Sequence, residues 1–211
     1  MSRFFWHRFW IHNSIAYTRA FERLGRTVLI DGYFQDPKFF FPVEAQLREE
    51  FRLRIPPSKE ILAFAAALSG QHSVCIQVRR TDLVEDPHSA RVHGSCSLDY
   101  YRAAWARISE KIPSARGFVF ADDTVWAVEA FQHWPGVIVA DPEWNGPAFM
   151  HRFFLMRACR HFIIANSTWG WWAAWLGESP EKTVVMPERW FRDEAMNLSA
   201  AGLRLPRWHV C

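Results

Sequence analysis

An α/β fold built on a doubly wound, Rossmann-like parallel sheet is predicted by two features of this chain. From Ser73 onward, short apolar runs alternate with longer segments of helical periodicity, the order that lays helices on both faces of a parallel sheet. The runs are also continuously apolar, as expected of strands buried on both sides. Composition agrees: of 211 residues, 50% are hydrophobic and 16% aromatic, with 12 Trp and 18 Phe. Such a chain is globular, and long enough to bury one large domain or one domain plus part of another.

Residues 1–69 read as a partial, mainly helical N-terminal region. It carries one apolar run, Val28 to Ile30, followed by DGYFQDPKFF. Pro37, Pro42, Pro56 and Pro57 break it into short pieces, because proline removes a donor and clashes with a continuing helix. Residues 70–211 carry the regular pattern. SVCIQV reads as a strand and LDYYRAAWARI as a helix, then GFVFA as a strand and DDTVWAVEAFQHW as a helix. GVIVA, FIIAN and TVVMP read as further strands, with AFMHRFFLMRAC and STWGWWAAWLG as helices between them. Asp122 or Asp123, Asp99, and Ser167 with Thr168 are candidate N-caps, and Gly177 suits the end of the tryptophan-rich helix. The density of Trp169, Trp171, Trp172 and Trp175 at helical spacing assigns them to packing.

The net charge of +3 fits an anionic small molecule or a membrane surface. Basic residues are interleaved with acidic ones and form no single stripe, which argues against nucleic acid as a partner. Cys75, Cys96, Cys159 and Cys211 lack metal-ligand spacing, and two lie in apolar runs, so buried free thiols in a reducing compartment are expected. No secretion signal or membrane span is read. Arg and His interrupt the opening residues, and Phe162–Leu176 is short and carries Asn166, Ser167 and Thr168. The expected location is cytoplasmic. An aromatic N-terminal patch (Phe4, Phe5, Trp6, Phe9, Trp10) either packs on the fold or makes a peripheral contact with a membrane or partner.

The richest segment is VCIQVRRTD, Val74 to Asp82, where an apolar strand runs into two arginines. Open α/β sheets bind ligands beyond the carboxyl ends of their strands. Two guanidinium forks there suit a diphosphate; the alternative is two solvated arginines opening a loop. Ser167 and Thr168 stand between a strand and a helix, where backbone N–H groups and hydroxyls attract phosphate or simply cap the helix. Asp122 and Asp123 emerge on the same edge. Being adjacent, they favour hydrogen bonding to a nucleobase or ribose over a Mg²⁺ site, or they serve as caps. There is no glycine-rich dinucleotide fingerprint, P-loop, GxSxG elbow or HExxH.

QVRRTDLVEDPHSARVHGSCSLDYYRAAW, FVFADDTVWAVEAF and LMRACRHFIIANSTWGWWAAWLGE, with LIDGYFQDPKFF upstream, resemble the α-1,2-fucosyltransferases that use GDP-fucose. The likeness runs from about residue 28 to 190, and the NSTWGWWAAWLG block is its most specific part. The RRTD wording is shared with α-1,6-fucosyltransferases. The resemblance implies a two-domain GT-B arrangement in which residues 70–211 hold the sugar nucleotide and residues 1–69 belong to the acceptor side. It implies that Arg79 and Arg80 neutralise the diphosphate, that Asp122 and Asp123 lie near guanosine, and that Asn166, Ser167 and Thr168 approach the phosphates. The donor is then GDP-fucose, with neither metal nor cofactor, and the acceptor a glycan, expected to end in galactose.

The departures from that family are Gln77 for histidine, Thr81 for glycine, Leu83 for tyrosine and Arg152 for an acidic residue. The family's glycine-rich opening segment is not found in these residues, so the sequence reads as starting partway into the first domain. The expected reaction is inverting transfer of L-fucose to a glycan hydroxyl, with cations stabilising the leaving group and a base accepting the hydroxyl proton. Asp82, Glu85 and His93, in or just after the arginine loop, are the candidate bases, with Asp86 beside them. Two rivals stand: a non-catalytic GDP-sugar-binding remnant, and an interaction module using residues 3–10.

Overall fold

A computed structural model describes residues 8–25, 27–140 and 149–211. Phe4, Phe5 and Trp6 of the aromatic patch lie outside them. In the N-terminal region, β1 (Arg8–His12) and β2 (Val28–Gly32) pair in parallel, Phe9 opposite Leu29. Helix there comprises short 3₁₀ turns, α1 (Glu44–Glu50) and α2 (Lys59–Ser69), the latter capped by Ser58. β1 is a strand that the sequence pattern does not announce, because its aromatic residues read as a surface patch. Trp10 in fact stacks on His12 with ring centroids 5.1 Å apart, while Phe9 stays exposed.

The larger unit has the predicted alternation. β3 (Ser73–Val78) leads through two short helices, α3 (Thr81–Glu85) and α4 (Pro87–Val92), to α5 (Leu98–Ser109). Then come β4 (Arg116–Ala121), α6 (Thr124–Phe131), β5 (Val137–Val139) and α7 (Phe149–Ala158). The chain continues through β6 (His161–Ile163), α8 (Thr168–Leu176), β7 (Val184–Met186), α9 (Glu194–Ser199) and β8 (His209–Val210). All five strands read from sequence are present; β8, a two-residue edge strand, is an addition to them. The expected cap Asp99 is corrected. Ser97 caps α5, its Oγ accepting the Tyr100 N–H at 3.2 Å, and Asp99 sits inside the first turn, paired with Arg102. Ser97 precedes the first helical residue, and only from there can a side chain reach back to the unpaired N–H groups.

The six strands are all parallel, in the order β5-β4-β3-β6-β7-β8. Counted from β3, that is the 3-2-1-4-5-6 order of dinucleotide-binding sheets, with the winding reversing between β3 and β6. β3 is central and buried along its whole length. Alternation splits it: Val74 and Ile76 face α5 and α6, while Cys75 faces the layer of α2, α7 and α8. Fully burying a side chain such as Phe162 contributes about 1.5–3 kcal/mol, so the two apolar layers hold the sheet edge rigid. Phe40 and Phe51 stack on Trp172, tying the N-terminal region to α8. The tryptophan helix is therefore largely core, as expected, with Trp171 and Trp175 buried. The four cysteines are free thiols. Among the described residues no helix is long and apolar enough to cross a membrane.

Candidate functional site

The crevice at the reversal point is formed by the segments just beyond β3, β4 and β6. β3 ends at Val78, so Arg79 and Arg80 are the first residues beyond the sheet. Asp122, at the end of β4, holds their loop in place. Its carboxylate accepts the backbone N–H of Arg80 at 2.9 Å, of Thr81 at 3.2 Å and of Asp123 at 3.0 Å. A carboxylate bound to three N–H groups has its lone pairs committed to shaping the loop. Asp123 caps α6 through the Trp126 N–H (3.0 Å) and lies 3.4 Å from Arg80 Nε. Arg80 also lies over the Trp126 ring, 4.7 Å from its centroid, which fixes the guanidinium from two sides.

Arg79 donates twice to Asp82, at 2.7 and 2.6 Å, and lies 3.7 Å from Asp122. Those bonds hold the Asp82 carboxyl below the usual carboxylate range. Asp82 therefore orients Arg79, and its oxygens are poor proton acceptors. His93 comes directly after α4 and packs on Phe191, ring centroids 5.0 Å apart. Burial lowers its pKa despite nearby Asp82, which favours the neutral imidazole and makes it a weaker base. Glu85 is exposed on the last turn of α3, and Asp86 caps α4 through the Ser89 N–H.

Beyond β6 the three candidate residues separate. Asn166 is buried. Its Nδ2 donates to the carbonyls of His93 (3.2 Å), Gly94 (2.9 Å) and Trp190 (3.2 Å), so the side chain staples three loops together. Ser167 occupies the N-cap position of α8 without making a side-chain cap bond, and Thr168 is exposed in the first helical residue. The start of α8 follows β6 at the crevice end of the sheet, a position whose free N–H groups suit an anion.

A cavity of about 240 Å³ opens beside Arg79, between the ends of β3 and β4 and the helices α7 and α8. Arg152 of α7 reaches into its wall, donating to the Ala121 carbonyl at 3.0 Å while Nε is buried without a partner. In the sequence Arg152 stands out only as a departure from the family, with nothing to place it at the site. The spacing of α7 alone cannot say which face meets the crevice. Among the described residues, no group of three or more His, Cys, Asp or Glu side chains is placed to hold a metal ion.

Sheet order, with an arginine-lined crevice at the reversal point, defines a doubly wound α/β domain. The chain belongs to glycosyl transferase family 11, whose model matches residues 14–210. It is similar to the O-antigen biosynthesis glycosyltransferase WbnK of Escherichia coli, 36% identical over 121 residues, covering 57% of this chain and 39% of that protein. It is also similar to an alpha-1,2-colitosyltransferase of Escherichia coli, 28% identical over 170 residues, covering 79% of this chain and 57% of that protein. The chain therefore spans only part of the length of these curated relatives. Among solved structures it resembles POFUT1 in complex with GDP-fucose, with a TM-score of 0.42, 14% identity and coverage of 85% and 73% of the two chains. It also resembles the NodZ alpha-1,6-fucosyltransferase soaked with GDP-fucose, with a TM-score of 0.33, 16% identity and coverage of 66% and 59%.

Proposed function

We propose that residues 70–211 bind GDP-fucose as the donor domain of an inverting glycosyltransferase, and that residues 1–69 lie toward the acceptor. The reaction is transfer of L-fucose to a galactose-terminated glycan in α-1,2 linkage. The observation that carries this reading is the arginine loop, presented at the reversal point of the sheet and clasped by Asp122. Membership of family 11 supports sugar transfer, and the name of the colitosyltransferase relative supports the 1,2 linkage.

In this reading Arg79 and Arg80 take up the charge that grows on the departing GDP, assisted by the start of α8. The acceptor hydroxyl attacks the anomeric carbon from the face opposite the diphosphate. We assign its proton to His93, which follows α4 shortly after the arginine loop. Asp123 is the carboxylate we place nearest the guanosine part, because Asp122 is committed to backbone. A peripheral membrane contact is assigned to exposed Phe9, Ile11 and Leu29 on the small sheet, and co-sedimentation with liposomes tests it.

The deciding experiment is GDP release from GDP-fucose in the presence of galactose-terminated acceptors, compared with acceptor-free hydrolysis. Acceptor-dependent turnover with an α-1,2 product is expected. GDP binding without any turnover would leave the non-catalytic GDP-sugar-binding reading in its place.

A further inference from the structure

A groove of about 910 Å³ runs along α7, on residues that the crevice does not use. Met150, Phe153, Phe154, Arg157 and Ala158 line it, the i, i+3, i+4, i+7 and i+8 positions that make one helix face. The other walls include α2, through Leu62 and Ala66, and the link between α1 and α2, through Phe51 and Leu53. Leu62 and Met150 keep 44% and 40% of their surface exposed, so this apolar face is left uncovered. Over its 10 residues α7 spans about 15 Å, length enough for an alkyl chain to lie extended. In α2 and α7 the backbone groups are bonded within the helices. An extended peptide would therefore find few partners there for its own N–H and C=O groups, whereas a hydrocarbon chain needs none.

The groove's cations gather toward the end where α7 runs into β6. Arg52, Arg157 and Arg160 line it. Arg160 lies 3.8 Å from Glu181, but Arg52 and Arg157 form no ion pair among the described residues. Arg157 is half-buried and donates to the Phe51 carbonyl. Burial lowers its pKa, Glu178 opposes the fall, and the charges of Arg48 and Arg52 add to it. Of the two carboxylates in the lining, Glu50 accepts from Gln46 Nε2 at 2.7 Å and Glu178 is exposed. Ser179, next to Glu178 in the same wall, has a buried Oγ with no hydrogen-bond partner. One end of an apolar groove thus carries cationic donors short of an acceptor. A bilayer of anionic headgroups would press on Glu50 and Glu178, whereas a single anion can lie between Arg52 and Arg157. We propose that this groove binds a single-chain anionic amphiphile taken up as a monomer, its hydrocarbon along Met150, Phe154 and Leu62 and its head between Arg52 and Arg157. This goes beyond the nucleotide-donor reading and depends on no part of it.

The test is titration calorimetry of the unmodified chain with decyl phosphate and dodecyl phosphate, kept below the concentrations at which they form micelles. Each methylene laid in the groove should raise affinity about fourfold, so dodecyl phosphate should bind roughly tenfold or more tighter than decyl phosphate. Dodecyltrimethylammonium, with the same chain and the opposite charge, should bind about tenfold or more weaker than dodecyl phosphate. Saturating GDP should leave these affinities unchanged. Ala66→Trp, on the exposed surface of α2, should fill the groove and abolish binding, and Arg52→Gln should narrow the preference for phosphate over ammonium. Absence of binding, equal affinity for the two heads, no dependence on chain length, or competition by GDP overturns the inference. So does binding to phosphatidylglycerol vesicles, or a ligand-free dimer, that Ala66→Trp abolishes while dodecyl phosphate monomer fails to bind; the occupant is then a bilayer or a second copy. If a variant does not fold, the chain-length and head-group series on the unmodified chain still decides.

Discussion

Gln77 Oε1 accepts the backbone N–H of Ala165 at 3.0 Å, a single bond joining the ends of β3 and β6 where the sheet reverses its winding. The bond lies beyond the last register pair of β3 and β6, Ile76 with Ile163. α8 is tailored around it. A Cβ on Gly170 would come within 2.5 Å of the same Gln77 oxygen, so the helix carries glycine where it passes the amide.

Gly170→Ala should accordingly push Gln77 off Ala165. Overpacking a filled interior costs typically about 1–3 kcal/mol, and urea denaturation should show a loss in that range. Gln77→Ala in the same background should restore part of it, because the clashing group is gone. Simple additivity of the two losses would show that the two side chains do not meet.

Arg79→Ala and Arg80→Ala should each weaken GDP binding more than guanosine binding. A hydrogen bond to a charged group is worth roughly 1.5–3 kcal/mol, so losses of about tenfold or more are expected for the diphosphate alone. Equal losses for GDP and guanosine would mean that the arginines support the loop rather than hold phosphate.

Asp122→Ala should loosen the arginine loop without melting the sheet. The Arg80 and Thr81 amides, now bonded to the carboxylate, should exchange with solvent much faster, while amides of β3 keep their protection. Hydrogen exchange read by NMR separates the two. Unchanged exchange at both loop amides would deny Asp122 its clasping role.

Stability should fall as pH drops from about 6.5 toward about 4, through His161. Its Nδ1 accepts the Thr183 N–H at 3.2 Å, so the buried ring is neutral, and burial pushes its pKa from 6.5 down to about 4. Between those values the unfolded chain binds the proton and the folded chain does not. Stability therefore rises with pH across the window, is present in full above about 6.5, and is lost as the folded value is passed. Melting temperatures taken through this range should show the slope in the unmodified chain and a shallower one in His161→Asn.

GDP should stabilise the chain equally with and without EDTA, since the proposed counter-charge comes from Arg79, Arg80 and the start of α8. A thermal shift that disappears on chelation would require a cation in the site.

The alternation of β3 to β7 with α5 to α8 is legible in the sequence because strand and helix periodicities are local and strong. The placement of Arg79 and Arg80 is legible for the same reason: they stand immediately after the most continuous apolar run. A cap at Asp122 or Asp123 can be read from their place before a helical pattern, and the structure assigns it to Asp123. β1 and β8 cannot, being short edge strands whose pairing depends on a partner elsewhere in the chain.

What only the tertiary structure decided is where each polar side chain places its hydrogen bonds. Asp122 and Asn166 both read as ligand-facing groups on the sheet edge, yet Asp122 is turned to the amides of Arg80 and Thr81, and Asn166 to the carbonyls of His93, Gly94 and Trp190. Arg152 reads as an isolated departure and proves to line the cavity with Gln77. Residue type and spacing set what a side chain can donate or accept. Which partner lies within reach is settled when distant segments are brought together by the strand order, and buried polar groups then bind whatever backbone is left unpaired beside them.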